Sequence, residues 1–475
     1  MSEVLFNRTK IVATVGPATN SKTKLTELVK EGVDVFRLNF SHGSHEDHFR
    51  IIQFVNEINE ELKTNVCLLQ DLQGPKIRVG EMEPGVILQE GTEIKIKSGD
   101  GIGNTEIIYT QFSELIDKAQ PGHKLLLNDG QIELMVTEAG EKSITAVVIN
   151  GGELKSKKGI NLPDTRVQVP SLTPKDLKDL QFGIENDVDW VALSFVRSPK
   201  DIHDLREILD KSGKWIKIIA KIEKPEALEY IDEIIKTSDA IMVARGDLGV
   251  ETPMEEVPLI QKMVVEKCNF ASKPVIIATQ MMESMIENPK PTRAETNDVA
   301  NAVMDGADAL MLSAETATGK YPLKVIQSMV RTIISVESQD RLYFRFYPTD
   351  KNSPIFLNDS LVASSVVLAR ETNAKAMVGM TQSGYTAYKV ASYRPKTSIF
   401  AFTANKPLLR TLNLVWGVRG YYYDKAESTD STISDIEEIL IKEGHISKGD
   451  VFINMASMPI LARERTNMLK INIVK

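Results

Sequence analysis

Cysteine is nearly absent: Cys67 and Cys268 are the only two in 475 residues. They lie far apart in apolar contexts, which excludes a disulfide framework, fits a reducing compartment and makes each thiol core filler rather than nucleophile. The opening MSEVLFNRTK has no apolar stretch of secretory length, and nowhere does an apolar run approach membrane-spanning length. A cytoplasmic location, with no membrane partner, is the expectation. An excess of positive charge is also missing: 57 Lys+Arg stand against 65 Asp+Glu, a net charge of −8. That argues against a nucleic-acid binder, while local basic clefts for phosphate remain open. Low-complexity segments and short repeats are lacking too. With 42% hydrophobic and 26% charged residues, the chain reads as a soluble globular protein of two to four domains. It is long enough to bury its cores without metal or disulfide staples.

What is present is a series of short apolar, β-branched runs, each followed by polar residues and then a helical stretch. In order they are 9–16, 33–43, 65–74, 188–196, 216–223, 239–249, 274–280 and 307–317. Several are apolar almost throughout, as strands buried on both faces of a parallel sheet must be. Amphipathic stretches such as 23–32, 204–213 and 254–268 lie between them. Eight strand–helix units predict an α/β fold built on a closed (β/α)8 TIM barrel. The gap between the third and fourth runs is far longer than the others. Its short runs TEIKIKSG, KLLLNDG, IELMVTEAG and SITAVVING, with little helical periodicity, predict an inserted small β-domain. Within it SGDGIGN (98–104) superficially resembles a dinucleotide loop, but no strand–turn–helix context surrounds it, so it is assigned to hairpin turns. Beyond residue 345, the runs AKAMVGMT, TSIFAFTAN, RGYYYD and DVFINMAS alternate with helical stretches at 359–371, 384–392 and 432–443. This predicts a doubly wound C-terminal α/β domain with 352–360 as its lead-in loop. The expected division is barrel 1–73 and 171–345, insert 74–170 and C-terminal domain 346–475.

Active sites of such barrels form at the carboxyl ends of the strands, and polar residues recur there: Arg37, Asn39, Ser41 and His42; Asp71, Lys76 and Arg78; Lys221 and Glu223; Arg245 and Asp247; Thr279; Ser313, Glu315 and Thr316. Lys221 and Glu223 stand two apart on one strand and so face the same way. One reading is a structural ion pair. The other is a cation for developing phosphoryl or oxyanion charge beside a carboxylate that, with Asp247, holds magnesium. The backbone at Gly246 and Gly249 permits a tight turn whose amides can take a substrate carboxylate. His42, His45 and His48 fit no zinc spacing, and Ser44–Asp47 reads as a helix capping box.

The stretches KIVATVGPAT, VFRLNFSHGSHEDH, LLQDLQGPKIRVG, KKGINLP, IIAKIEKPEAL, IMVARGDLGVE, VIIATQMMESM and PTRAETNDVANAVMDGADALMLSAETATGKYP resemble the pyruvate kinase family, essentially over the whole chain. The resemblance implies a (β/α)8 barrel, a β-barrel lid, a C-terminal regulatory domain and a homotetramer. It implies transfer of the phosphoryl group of phosphoenolpyruvate to ADP, giving pyruvate and ATP. By that analogy Arg37 binds the phosphate, and Lys221 stabilises its charge and that of the enolate. Glu223 and Asp247 hold Mg2+ or Mn2+, and the backbone at Gly246 and Asp247, with the Thr279 hydroxyl, takes the carboxylate. Thr279 and Ser313 lie where the enolate is protonated. Arg78, His42 and Lys158, with Asn39, meet the nucleotide. Two rivals share parts of the pattern: a barrel lyase or aldolase acting on pyruvate enolate, which has no use for a nucleotide-facing lid, and a metabolite-sensing scaffold, which has no reason to keep the rim charges.

One departure is informative. Family members that need potassium hold it on residues matching Asn39, Ser41, Asp71 and the carbonyl of the position of Leu72, and carry glutamate where this chain has Lys76. An ammonium near Asp71 supplies the charge of the alkali ion and repels it, so potassium independence is expected. In the C-terminal domain TQSGYTA, with Thr381, Ser383, Gly384 and Thr386, resembles the effector loop of the family and suits a phosphorylated effector. The facing loop, 454–467, lacks the glycine-rich pattern of fructose-bisphosphate-regulated members.

Overall fold

The computed structural model describes residues 4–167, 169–425, 428–458 and 465–475. All eight apolar runs are strands: Lys10–Thr14, Val35–Asn39, Cys67–Asp71, Trp190–Leu193, Lys217–Ile222, Ala240–Ala244, Val275–Ala278 and Ala309–Leu312. They pair in parallel and close on themselves, the last returning to the first through Lys10↔Ala309. Every residue from Lys10 to Thr14 and from Ala240 to Ala244 is buried. The two faces of each strand serve different cores, which explains why no alternation shows. Val12, Val35, Leu69, Trp190, Ile219, Met242 and Ile276 fill the barrel, whereas Ile11, Phe36, Leu68, Val191 and Ile218 pack outward against the helices. Cys67 belongs to the inner set and Cys268 to the outer. Both are free, and burial pushes both thiols well above their ordinary value, as inert packing groups require.

The insert has its own core, from Val79 to Leu162. Its six-stranded sheet runs Ile160–Asn161, Lys124–Leu127, Ile132–Ala139, Ser143–Asn150, Glu93–Ser98, Ile107–Thr110. Unlike the barrel strands, Ile132–Ala139 and Ser143–Asn150 alternate buried and half-buried residues, because one face meets water. Val79 bridges to Thr110 on one edge and Arg78 to Gly159 on the other, so the sheet curls round and meets through the segment that enters the domain. Two expectations are corrected. A short helix, Ser113–Lys118, interrupts the strands; six residues are too few to display a helical period. Residues 98–104 are not a hairpin turn between the flanking strands, since Glu93–Ser98 and Ile107–Thr110 pair in parallel and the connection doubles back through Ile102–Gly103.

The C-terminal sheet runs Val418–Tyr422, Ser398–Thr403, Ala376–Met380, Val451–Ala456, Met468–Ile473, with the last strand antiparallel. The lead-in loop is shorter than expected, because the helix Phe356–Glu371 already begins within 352–360. This domain closes the amino-terminal mouth of the barrel. Leu414 joins the interior cluster, Trp416 N donates to Asp308 Oδ1 at 3.2 Å, and the buried Arg394 guanidinium bonds Asp308, Asn269 and the Gly306 carbonyl. No helix among the described residues is long and apolar enough to cross a membrane.

Candidate active site

The barrel strands deliver polar residues to the carboxyl-end rim, and Arg37, Lys221 and Glu223 condense around one carboxylate. Asp71, 1% exposed, ends the third strand. Its Oδ2 accepts from Arg37 Nε at 2.7 Å and its Oδ1 from Lys221 Nζ at 3.1 Å. Arg37 Nη1 also donates to Thr14 Oγ1 at 3.0 Å. The Lys221 ammonium makes two further contacts, Ser194 Oγ at 2.7 Å and Glu223 Oε1 at 2.8 Å. The second oxygen of Glu223 accepts from the Phe195 N–H at 2.9 Å.

The electrostatics follow from burial. Desolvation pulls the Lys221 ammonium down, but Asp71 and Glu223 outweigh it and hold the group above its ordinary value. Burial pushes Asp71 up, yet Lys221 and Arg37 leave it below the usual carboxylate range. Glu223 goes the other way: burial raises it, Lys221 opposes this, and the neighbouring negative charge of Asp247 raises it further. Asp247 lies in the short helix Arg245–Glu251 that follows the sixth strand. A buried Glu223 whose charge is disfavoured by the neighbouring Asp247 makes with it an oxygen donor set that a divalent cation relieves. No group of three or more His, Cys, Asp or Glu able to hold a metal occurs among the described residues, so the pair carries that reading alone.

Across the rim, Thr279 and Gln280 both take positive φ, +68° and +54°, a conformation that costs a β-branched residue of order 1–3 kcal/mol and concentrates at working sites. Arg245 holds this turn, bonding the Thr279 carbonyl at 2.8 Å and Asp298 at 2.8 Å. Thr279 Oγ1 accepts from Gly246 N at 2.7 Å and donates to the Ala278 carbonyl at 2.6 Å, so both candidate carboxylate ligands are here engaged within the protein. Ser313 is half-buried, and its N–H is held by Glu315 at 2.7 Å; Thr316 bonds the Thr14 carbonyl at 2.9 Å. Glu315 and Thr316 thus brace the rim from below.

The candidates on the nucleotide side are more dispersed. Arg78 and Lys158 are half-buried where the insert joins the barrel, Arg78 Nη1 on the Lys157 carbonyl at 3.0 Å. His42 is exposed, its carbonyl accepting from His48 Nε2 at 3.0 Å, and His45 Nε2 meets Asp179 at 2.7 Å. The Ser44–Asp47 capping box is present. Asn39 Oδ1 accepts from Ser41 N at 3.1 Å, and Leu72 is buried. Lys76 requires a correction. Its ammonium reaches Asp129 of the insert at 3.6 Å rather than Asp71, because the chain turns away from the barrel after Gly74, at φ +69°. Lys76 lines a cleft of about 1020 Å³ between insert and barrel together with Asp129, Arg245, Gly246 and Asp247.

In the C-terminal loop Thr381 Oγ1 accepts from Gly384 N at 2.9 Å, and Ser383 is exposed. Thr386 is turned inward, 2% exposed and bonded to Thr466 Oγ1 at 2.6 Å, so it does not belong to the cradle. Residues 459–464 of the facing loop lie outside the described residues. Sequence reasoning missed Ser194 and Phe195, which hold Lys221 and Glu223. Both follow the fourth strand, the position that flagged the other rim residues.

A model described as "Pyruvate kinase, barrel domain" matches residues 6–326, and one described as "Pyruvate kinase, alpha/beta domain" matches 359–472. A pyruvate kinase of Geobacillus stearothermophilus is 43% identical over 477 residues, 98% of this chain and 80% of that protein. One of Staphylococcus aureus (strain MRSA252) is 40% identical over 472 residues, 99% of this chain and 81% of that protein. A crystal structure of a pyruvate kinase from Cryptosporidium parvum superposes with a TM-score of 0.92 at 35% identity, covering 99% of this chain and 96% of that one. The chain belongs to the pyruvate kinase family, glycolytic phosphotransferases that, with a divalent metal ion, move the phosphoryl group of phosphoenolpyruvate to ADP to give pyruvate and ATP.

Proposed function

We propose that the cluster around Asp71 is the phosphoryl-transfer centre, with Arg37 and Lys221 as its cations and Glu223 and Asp247 as the carboxylates that hold Mg2+ or Mn2+. The supporting observation is that Arg37 and Lys221 are both fixed on Asp71, at 2.7 and 3.1 Å. The ion, when bound, supplies positive charge to the substrate's enol and phosphoryl oxygens. The remaining donors of the Arg37 guanidinium grip the phosphoryl oxygens and hold the group in line with the attacking β-phosphate oxygen of ADP.

The three N–H donors of Lys221 are engaged by Asp71, Ser194 and Glu223. A substrate oxygen therefore enters by taking over one of them, and the neutral Ser194 is the least costly to displace. Lys221 then faces the bridging oxygen as the bond to phosphorus breaks and negative charge collects on the enolate. The backbone N–H groups of Gly246 and Asp247 and the Thr279 hydroxyl bind the substrate carboxylate, the Gly246 N–H giving up its present bond to Thr279 Oγ1 for it. The hydroxyls of Thr279 and Ser313 line the side from which C3 takes its proton to give pyruvate.

The insert acts as a lid, bringing Arg78 and Lys158 toward the nucleotide phosphates with His42 and Asn39 opposite, and excluding water that would hydrolyse the phosphoryl group. Closure of the lid carries the Lys76 ammonium from Asp129 toward Asp71, where its charge makes potassium dispensable. The effector loop at Thr381, Ser383 and Gly384 takes a phosphorylated ligand, and the working form is a cytoplasmic homotetramer. A lactate-dehydrogenase-coupled assay with phosphoenolpyruvate and ADP tests the reading, run with and without Mg2+, potassium and sugar phosphates. Pyruvate formation without ADP would point to a lyase, and turnover unaffected by chelation of divalent ions would remove Glu223 and Asp247 from the metal role.

A further inference from the structure

Glu251 is a buried carboxylate with no part in the roles assigned above, and it stands where three elements meet. It ends the helix Arg245–Glu251, four residues after Asp247, so the two carboxylates share a helix face. Its side chain is 1% exposed and ion-paired with Lys224, the residue after Glu223. The same oxygen, Oε1, accepts from Asn161 Nδ2 at 2.8 Å, and Asn161 belongs to the lid strand Ile160–Asn161. The Lys224 ammonium lies 6.0 Å from the centre of the Phe195 ring, and the Phe195 N–H holds Glu223. One carboxylate thus joins the helix of Asp247, the strand end of Glu223 and the lid.

We propose that Glu251 is a positioning residue: through Lys224 and its own helix it sets the placement of Glu223 relative to Asp247, and through Asn161 it anchors the lid to the same joint. This rests on the reading of Glu223 and Asp247 as metal ligands. A charged pair held out of water is intolerant of displacement, because each partner left alone is a buried unpaired ion. Groups that orient ligating carboxylates set metal affinity by roughly 10–100-fold. A purely structural joint would instead cost stability and leave metal affinity where it was.

The test is titration of the full chain with Mn2+ alone, followed by the electron paramagnetic resonance of the free ion, in Glu251→Gln, Lys224→Met, Asn161→Ala and, as control, Glu223→Gln. Glu251→Gln keeps an acceptor oxygen and loses the charge. It and Lys224→Met should each weaken Mn2+ binding roughly tenfold. Asn161→Ala breaks only the lid arm. It should leave Mn2+ binding within about twofold while raising KM for ADP roughly tenfold and quickening amide exchange at 159–162. Should Glu251→Gln fail to fold, Lys224→Met and Asn161→Ala decide. Wild-type Mn2+ affinity in Glu251→Gln and Lys224→Met, with Glu223→Gln weakened, overturns the inference and leaves the metal reading standing, whatever happens to thermal stability. Wild-type affinity in Glu223→Gln removes the metal reading itself. Unchanged KM for ADP and exchange in Asn161→Ala overturns the coupling to the lid.

Discussion

The guanidinium of Arg37 and the ammonium of Lys221 hold opposite oxygens of a single buried carboxylate, Oδ2 and Oδ1 of Asp71, at 2.7 and 3.1 Å. Two cations that repel one another are thereby kept side by side before any substrate arrives, and under the proposed role of this cluster the reorganisation that phosphoryl transfer requires is made in advance. The arrangement also explains the opposite directions of the two nearby carboxyls. Burial pushes both up; Asp71 faces two cations and is still held low, whereas Glu223 shares one cation and has Asp247 beside it, so it stays raised.

Lys221→Met should lower kcat by about 10²–10³, the loss typical of a donor aimed at developing charge, with a much smaller change in phosphoenolpyruvate binding. Asp71 keeps Arg37, but Glu223 loses its cation, so the thermal midpoint should fall while far-ultraviolet circular dichroism at room temperature is retained. Coupled-assay kinetics and substrate titration separate the two effects. Equal losses in binding and turnover would show that Lys221 acts on the ground state.

Thr279→Val removes the acceptor of Gly246 N and the candidate carboxylate and proton-side hydroxyl in one change. The expected outcome is a fall in kcat of about 10²-fold, with Thr279→Ser restoring most of it. Steady-state kinetics of the two variants decide. Val at full activity would confine the hydroxyl to a role in shaping the turn.

Replacing sodium with potassium should change the wild-type rate by less than about tenfold, ~1.4 kcal/mol in the barrier. Lys76→Glu places a carboxylate beside Asp129 in the cleft and should create a potassium requirement. Initial rates at constant ionic strength check both statements. A wild-type enzyme strongly activated by potassium would show that the Lys76 ammonium does not stand in for the ion.

Asp189 supplies a pH-dependence away from the site. It sits at the foot of the fourth strand, bonded to Leu68 N at 2.7 Å, and burial pushes its carboxyl from 3.8 up to about 7. A carboxyl raised on folding favours the folded state in its protonated form, so its contribution is full below 3.8 and is lost as pH rises through about 7. Asp189→Asn cannot ionise. Its melting temperature relative to wild type should therefore improve between about pH 5 and about pH 8. A difference that stays constant with pH would mean that Asp189 is ionised throughout.

Much of the molecule was legible in the chain because the signals are local. A parallel barrel strand is buried on both faces, so stretches such as KIIAKI and AIMVA announce themselves by composition alone. The carboxyl-end rule then picks out Arg37, Asp71, Lys221 and Asp247 from their places at strand ends. The short helix Ser113–Lys118 stayed hidden, since one and a half turns carry no readable period.

What the amino-acid order determined by itself is therefore the number and sequence of the strands, the long interruption after the third, and the residue types at the rim. Pairing across distance was decided only by the tertiary structure. The curl of the chain after Gly74 sends Lys76 to Asp129 instead of Asp71. The packing of the helix Tyr385–Ser392 turns Thr386 inward onto Thr466. Parallel pairing of the fourth and fifth barrel strands brings Ser194 to Lys221, and the seating of the insert brings Asn161 to Glu251. Hydrogen bonds and ion pairs depend on separations of a few ångströms between residues many positions apart, and no local pattern encodes such a separation.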